Sequence, residues 1–186
     1  MKRRDFIKTG AVTSLGALAA PNIIKARGKE KVRLGLIGVG LRGTWHLKNA
    51  LERDDVEVTA ICDVDSERIT LAQSMIEKSG AAKAKVFDKG DHAYRELLKE
   101  SNIDAVIIST PWLWHVPMAV DSMRAGKYVG VEVCGASSVD ECWEMVRVHE
   151  ETGTHLMFLE NVCYRRDVMA VLNMVRKGIF GELVHC

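Results

Sequence analysis

Short apolar runs alternate with amphipathic segments along this chain, and this alternation limits its fold more than any other feature. The apolar runs have the length of strands buried on both faces of a sheet, and they lie at 34–38, 56–63, 84–88, 104–110, 126–133 and 155–160. The segments between them have the period of helices, which we expect at 43–53, 65–79, 94–99, 117–125, 138–151 and 167–177. This order predicts an α/β protein with a doubly wound parallel sheet.

A glycine motif, GxGxxG, stands between the first apolar run and the first predicted helix, and its glycines are Gly38, Gly40 and Gly43. In a Rossmann sheet the first glycine makes the tight turn, the second lets the backbone approach a pyrophosphate, and the third lets helix and strand pack closely. Asp63 ends the second run, where a carboxylate binds the ribose 2′-hydroxyl and repels a 2′-phosphate. The motif therefore predicts a Rossmann sheet with NAD as its cofactor, although Arg42 within the loop leaves NADP as an alternative.

Charge is unevenly distributed along the 186 residues, of which 47% are hydrophobic and 27% are charged. Residues 1–20 contribute +3 to the formal net charge of +1, which leaves −2 for the remainder. A chain of this composition can bury a core, but it offers no basic surface that would follow a phosphate backbone. We therefore expect no nucleic-acid partner.

Residues 1–20 are typical of an export signal, since a basic start precedes an apolar stretch at 11–20 that ends in small residues. The run from Arg3 to Lys8 resembles the twin-arginine signal, whose translocon exports folded proteins. We expect a signal peptide at 1–20, a linker at 21–30, the twin-arginine translocon as a partner and a periplasmic location. The apolar stretch is too short to cross a bilayer, so no stable membrane anchor is expected. A frayed amphipathic helix is the alternative.

Cysteine and histidine spacing indicates neither a disulfide framework nor a metal site. The five cysteines form an odd set without a CxxC pair, and the six histidines include no HExxH pattern. We expect buried free thiols and no bound metal.

A second candidate for cofactor contact follows the fourth apolar run, at the carboxyl edge where such sheets bind ligands. It is the stretch 109–115, which includes Trp112, Leu113, Trp114 and His115. Tryptophan in a loop commonly packs against the protein itself, and His115 would equally suit the start of the next helix. Position alone leaves both interpretations open.

Four stretches together resemble the glucose-fructose oxidoreductase/inositol dehydrogenase superfamily, namely GLIGVGLRG, CDVD, STPWLWH and GKYVGVEVCGA. The similarity runs from about Lys31 to the end of the chain. Most members carry Glu-Lys-Pro after the fifth strand, and that lysine assists proton transfer during sugar oxidation. Here Glu132 remains, whereas Val133 and Cys134 stand in place of the lysine and the proline.

Two longer stretches resemble one branch of that superfamily, glycoside hydrolase family 109. They are STPWLWHVPMAVDSMRAGKYVGVEV and ENVCYRRDVMAVLNMVRKGIFGEL. Members use NAD without consuming it, and their known activity is chiefly that of an α-N-acetylgalactosaminidase. The resemblance implies oxidation of a small-molecule or glycan substrate at C3, elimination of the aglycone, hydration and re-reduction. A periplasmic NAD-dependent sugar oxidoreductase and a non-catalytic NAD- or carbohydrate-binding protein are the alternatives.

The resemblance also implies roles for individual residues. It implies NAD contacts at Leu41, Arg42, Asp63, Trp112, Leu113, Trp114, His115, Glu132, Val133 and Asn161. Glu132 would accept a hydrogen bond near the nicotinamide ribose, unless it is a strand-end carboxylate that faces water. Asn161 would equally suit a turn. Tyr164 and Arg166 would lie on the sugar side as catalytic residues, a phenol for proton transfer and a guanidinium to hold oxygens, unless the arginine only decorates a helix start.

Two domains are expected, an NAD-binding Rossmann domain at 31–160 and the start of an α+β substrate domain at 161–186. The last residues, GELVHC, read as the opening of another strand, so we expect a truncated second domain. Further catalytic residues would lie beyond it, so this fragment alone is expected to be inactive. Homo-oligomer formation through the missing domain is a further expectation from the resemblance.

Overall fold

Six parallel strands form one sheet in the computed structural model, which describes residues 31–185. They are β1 (Val32–Ile37), β2 (Val56–Cys62), β3 (Lys85–Phe87), β4 (Ala105–Ile108), β5 (Tyr128–Val131) and β6 (Leu156–Phe158). Their order is β3-β2-β1-β4-β5-β6, and each neighbouring pair is parallel. The predicted doubly wound Rossmann sheet is confirmed. The signal peptide and linker predicted at 1–30 lie outside the described residues.

Six α-helices connect the strands or follow them in the described part of the chain. They are α1 (Leu41–Leu51), α2 (Ser66–Lys78), α3 (Tyr94–Leu98), α4 (His115–Arg124), α5 (Val139–Thr152) and α6 (Arg166–Arg176). Short 3₁₀ turns precede α4 and α6 at Trp112–Trp114 and Val162–Tyr164. Within residues 31–185, none of the helices has the length and apolarity needed to cross a membrane.

Two helices begin earlier than the sequence pattern predicted. α1 starts at Leu41, inside the glycine motif, because Gly40 already serves as its N-cap. α4 starts at His115, two residues before Pro117, because the first turn of a helix does not need the N–H group that proline lacks. Both helices therefore begin directly at the carboxyl edge of the sheet.

The strand predicted at the end of the chain is not present among the described residues, since 181–185 join no sheet. A strand needs a neighbour to satisfy its backbone groups, and no neighbour lies there in the described part. α6 has no buried residue, and its apolar side chains Met169, Val171 and Leu172 are exposed, as are Met157 and Phe158 of β6.

Apolar side chains cover both faces of the sheet, as the helix–strand alternation requires. Leu36 and Ile37 are adjacent in β1, and because side chains alternate along a strand they enter two different clusters. One cluster includes side chains of α1 and α2, and the other includes side chains of α3 and α4. Burying each such side chain contributes about 2 kcal/mol, so the sheet is a rigid base for the loops at its carboxyl edge.

Loop ends are also fixed by helix caps. Asp65 accepts hydrogen bonds from Glu67 N and Arg68 N at the start of α2. Ser138 and Glu141 form the predicted capping box at the start of α5.

The expectation of buried thiols is confirmed for Cys62 and wrong for Cys142 and Cys163, which are exposed. Cys142 lies on the solvent side of α5, and Cys163 lies in the 3₁₀ turn before α6.

Candidate cofactor site

The three motif glycines have different steric surroundings. Gly38 has φ of 87°, and a Cβ there would lie 2.7 Å from Ser109 O. A Cβ at Gly43 would lie 2.0 Å from Gly38 O, whereas one at Gly40 would meet nothing within 4 Å. Gly38 and Gly43 are therefore required by the protein's own packing, and Gly40 borders open space.

The open space at Gly40 lies at the N-terminus of α1. Gly40 makes no side-chain cap, and the first turn of the helix contains no acidic residue. The first N–H groups of a helix lack partners within the helix, and together with the helix dipole they favour an anion. Leu41 is exposed at this end of the helix. Within residues 31–185, the loop thus presents unpaired donors where a pyrophosphate is expected.

Asp63 reaches from the end of β2 across to the glycine loop. Its Oδ2 accepts a hydrogen bond from Val39 N at 2.7 Å, and its Oδ1 accepts one from Asp65 N at 3.0 Å. A carboxylate has about four acceptor positions, so both oxygens retain capacity for a ribose hydroxyl. The predicted ribose acceptor is therefore held beside the glycine motif.

A cavity of about 340 Å³ opens at this edge of the sheet. Of the predicted site residues it is lined by Gly38, Gly40, Asp63 and Trp114. Its volume is in the range of small-ligand sites, which run from roughly 300 to 1,000 Å³. Cys62 also lines it, and burial raises the pKa of that thiol to about 12. The thiol is thus protonated near neutral pH.

Ser109 lines the cavity, and it belongs to the candidate stretch 109–115, although the sequence did not predict it as an individual cofactor contact. Its Oγ is buried and has no hydrogen-bond partner within the described structure. An unpartnered buried hydroxyl is costly, which makes this one a candidate ligand contact. The open space at Gly40, the unpaired helix donors and the Ser109 hydroxyl together fit a dinucleotide.

Ser109→Ala is expected to weaken NAD binding about fivefold, the effect of losing one hydrogen bond of about 1 kcal/mol. The unliganded protein should be as stable as the wild type or slightly more stable, because the variant removes an unsatisfied buried hydroxyl. Calorimetric titration and thermal unfolding measure the two effects. Ser122→Ala is the matched control, because Ser122 also has a buried hydroxyl, which bonds to Met118 O within α4. Equal losses of NAD affinity in both variants would contradict this assignment.

The loop after β4 is joined to the loop after β5 by His115. The ring is 1% exposed, with Nδ1 2.7 Å from Cys134 O and Nε2 2.8 Å from Thr110 O. Each ring nitrogen therefore lies within hydrogen-bond distance of a backbone carbonyl oxygen, and the ring donates to at least one of the two. His115 thus connects the loop after β4 to the loop after β5, and it is also the first residue of α4.

The tryptophans of the same loop divide between packing and exposure. Trp114 lies against the rings of His92 and Tyr94, with centroids 5.3 Å and 6.5 Å away, and it also lines the cavity. Trp112 and Leu113 are exposed and do not line the cavity. Trp114 can therefore both pack against the protein's own aromatic rings and contact a cofactor in the cavity.

Glu132 is buried and paired, so the alternative that it faces water is wrong. It is 7% exposed. Its Oε1 accepts hydrogen bonds from Arg42 Nε at 2.5 Å and from His46 Nε2 at 2.6 Å, and its Oε2 accepts one from Val133 N at 3.1 Å. The Arg42 guanidinium also lies 4.6 Å from the centre of the Trp45 ring.

His46 was not predicted as a site residue. The signal was its position four residues after Arg42 on α1, because side chains at that spacing share one helix face. The hydrogen bonds that unite Arg42, His46 and Glu132 join residues 90 and 86 positions apart. We call these three residues the Glu132 cluster.

Ionisation states in the Glu132 cluster follow from its contacts. Burial opposes ionisation of Glu132, but hydrogen bonds from Arg42, His46 and Val133 N lower its pKa below the usual value. Burial lowers the pKa of His46, and the hydrogen bond with Glu132 opposes this only in part. Near neutral pH the cluster therefore holds a carboxylate and a neutral imidazole that donates through Nε2.

The free energy of unfolding is expected to fall as the pH drops below about 6.5, the ordinary pKa of histidine. His46 has a lowered pKa in the folded state, so the unfolded chain binds that proton first. Glu132 adds a further loss below about 4.5 for the same reason. Urea unfolding of the wild type and of His46→Gln from about pH 8 to about pH 5 measures the first effect. A smaller pH dependence is expected in the variant, and identical slopes would refute the role of His46.

Val133, Asn161, Tyr164 and Arg166 lie on the exposed side beyond β5 and β6, and none of them lines the cavity. Val133 follows Glu132 and is partly exposed. Asn161 caps the 3₁₀ turn through its backbone, since its carbonyl accepts from Tyr164 N at 3.2 Å. Arg166 begins α6. Within residues 31–185, no cluster of His, Cys, Asp and Glu side chains is suited to hold a metal ion.

Two family models match this chain. The model described as "Oxidoreductase family, NAD-binding Rossmann fold" matches residues 32–159. The model described as "Glycosyl hydrolase 109, C-terminal domain" matches residues 164–186.

Curated relatives carry names of the same family. A glycosyl hydrolase family 109 protein of Stenotrophomonas maltophilia is 47% identical over 100% of this chain and 41% of its own length. A protein of Tannerella forsythia named alpha-N-acetylgalactosaminidase is 42% identical over 98% of this chain and 43% of its own length. The chain thus spans less than half the length of these relatives.

Solved structures show the same fold. The myo-inositol 2-dehydrogenase of Lactobacillus plantarum matches with a TM-score of 0.72 at 22% identity, over 83% of this chain and 44% of that one. The scyllo-inositol dehydrogenase of Lactobacillus casei, solved with NAD(H) and scyllo-inositol, matches with a TM-score of 0.72 at 18% identity, over 82% and 43%. The chain belongs to the oxidoreductase family with the NAD-binding Rossmann fold, and it is similar to proteins named glycosyl hydrolase family 109.

Proposed function

We propose that the complete protein is a glycosidase that uses NAD as a recycled cofactor and acts on α-N-acetylgalactosaminides. The proposal rests on two features found together. The cofactor cavity is intact, and Val133, an apolar residue, stands at the position where most sugar dehydrogenases of the superfamily that this chain resembles carry a lysine. The name of the Tannerella forsythia relative supports the substrate class.

The proposed reaction has no net redox change. When bound, NAD supplies a reversible acceptor for the hydrogen and two electrons of the sugar C3–H bond. A C3 ketone acidifies the C2 proton, because the carbanion left at C2 is an enolate. Loss of that proton expels the aglycone from C1 with the bonding electrons, water adds at C1 and C2, and C3 is reduced again. This route is an exception to the usual scheme with two carboxylates.

In that reaction, the residues of this chain bind NAD and orient it. We infer that Ser109 and the first N–H groups of α1 bind the pyrophosphate in the space beside Gly40. Asp63 accepts from the adenosine ribose and disfavours a 2′-phosphate, so NAD is preferred to NADP. Glu132 accepts from the nicotinamide ribose.

The proton at C2 needs a base other than residue 133. A valine side chain neither donates nor accepts protons. We propose the exposed Tyr164 phenol as this base, and Arg166 as the residue that holds sugar oxygens. A second domain would have to bring the sugar to them.

Export through the twin-arginine translocon fits the same account. An enzyme that folds around NAD before export carries its cofactor to the periplasm. We therefore propose that the complete protein retains NAD through purification. Homo-oligomer formation through the second domain remains part of the proposal.

An assay of the complete protein, purified without added NAD, tests the proposed function. With an aryl α-N-acetylgalactosaminide, the glycosidase releases the aryl alcohol over many turnovers while NADH absorbance stays flat. A sugar oxidoreductase would instead reduce its bound NAD, giving up to one equivalent of NADH per active site, without release of the aryl alcohol. A binding protein would retain NAD and produce neither signal.

A further inference from the structure

His46 occupies an inner position in the Glu132 cluster. Its side chain is 10% exposed, compared with 37% for Arg42, and the Glu132 side chain is 9% exposed. Both partners donate to the same oxygen, Oε1. The other oxygen, Oε2, accepts only from Val133 N within the described structure. The carboxylate is therefore anchored through one oxygen and retains acceptor capacity on the other.

We propose that His46 is a positioning residue of the cofactor site, which holds Glu132 through Oε1 so that Oε2 is presented to a ribose hydroxyl of NAD. This inference rests on the proposed function only for the identity of the ligand. His46 touches neither NAD nor sugar in the proposal. It acts through the carboxylate.

The two donors of Glu132 have separate tasks. Arg42 uses Nε for Glu132, and its terminal amino groups make no hydrogen bond within residues 31–185. Because Arg42 lies in the first turn of α1 beside Gly40, those groups can serve a phosphate while Nε stays on Glu132. His46 has no such outward groups, and one buried hydrogen bond is its whole contact with the carboxylate. It therefore holds the Glu132 carboxylate without also serving the cofactor, as Arg42 does.

The neutral state of His46 fits this task. Burial lowers the pKa of the ring, so near neutral pH it carries one proton. The contact with Oε1 requires that proton on Nε2. A neutral donor fixes the carboxylate without cancelling its charge, which Arg42 alone balances.

The test compares His46→Phe, which keeps a ring but removes the donor, with His46→Gln, which keeps an N–H donor. Calorimetric NAD affinity is measured on the complete protein after its cofactor is removed. His46→Phe is expected to weaken NAD binding about tenfold, and His46→Gln to recover it to within about threefold of the wild type. His149→Phe is the matched control, because the His149 ring bonds to Thr154 O and makes no hydrogen bond to the Glu132 cluster within residues 31–185.

Coupling to Glu132 separates positioning from a general structural role. In a Glu132→Gln background, His46→Phe should add almost no further loss of NAD affinity, because the oriented carboxylate is already gone. Full additivity of the two substitutions would overturn the proposal. So would wild-type affinity in a folded His46→Phe variant, or equal losses in the Phe and Gln variants.

Failure of the proposed function is distinguishable from failure of this inference. If the wild type binds NAD, the His46 variants behave as expected and no glycoside is cleaved, the glycosidase proposal fails and the role of His46 stands. If the wild type cleaves glycoside and His46→Phe binds NAD normally, the reverse holds. A wild type that binds no NAD would overturn both.

Discussion

Gly40→Ala is expected to weaken NAD binding by roughly a hundredfold, or about 3 kcal/mol, and to leave the unliganded protein as stable as the wild type. The added methyl group meets nothing within 4 Å in the protein, and φ of −67° suits alanine. The methyl group would occupy the space in which the pyrophosphate has to approach the backbone. Calorimetric titration with NAD and thermal unfolding measure the two effects on the complete protein after its bound cofactor is removed.

Gly43→Ala provides the contrast within the same loop. Its methyl group would lie 2.0 Å from Gly38 O, so the strand and helix must separate. We expect a loss of stability of about 3 kcal/mol together with the loss of NAD binding. Normal NAD affinity in Gly40→Ala would show that the cofactor does not approach this loop.

Glu132→Ala is expected to destabilise the protein by about 1 to 3 kcal/mol and to reduce turnover by roughly a hundredfold or more. The substitution leaves His46 buried without its acceptor and frees the Arg42 guanidinium. The stability loss is moderated because Arg42 is partly exposed and water can reach it. Urea unfolding and steady-state kinetics of the complete protein are the measurements.

Glu100→Ala is the control for loss of a carboxylate. Glu100 pairs with Lys85 at 2.7 Å on the surface, outside the Glu132 cluster, so its removal should cost at most about 1 kcal/mol and leave turnover unchanged. Comparable effects of the two substitutions would mean that Glu132 is an ordinary ion-pair partner.

The fold could be read from the sequence because its signals are local. Each apolar run has strand length, each connecting segment has helix period, and the glycine motif lies between the two. Boundaries were less accurate where a local rule was applied too strictly. Pro117 suggested a helix start but is tolerated inside the first turn. The final residues suggested a strand, which depends on a neighbour that local pattern does not reveal.

The candidate site was predictable only in outline. Parallel strands bring their carboxyl ends to one edge, so the proximity of the glycine loop to Asp63 follows from topology. The contact of Glu132 with His46 does not follow from it, because it depends on which way two side chains point across 86 residues of sequence. The unpartnered hydroxyl of Ser109 is likewise a property of packing.

The most direct test of the central claim is the reaction of the complete protein with an aryl α-N-acetylgalactosaminide in D₂O. Aryl release, NADH absorbance and deuterium at C2 of the released sugar are followed together. The account predicts aryl release with deuterium at C2 and no net NADH, because C2 loses and regains its proton while C3 is oxidised and re-reduced. Aryl release with no deuterium at C2 would contradict it, and so would net NADH without aryl release.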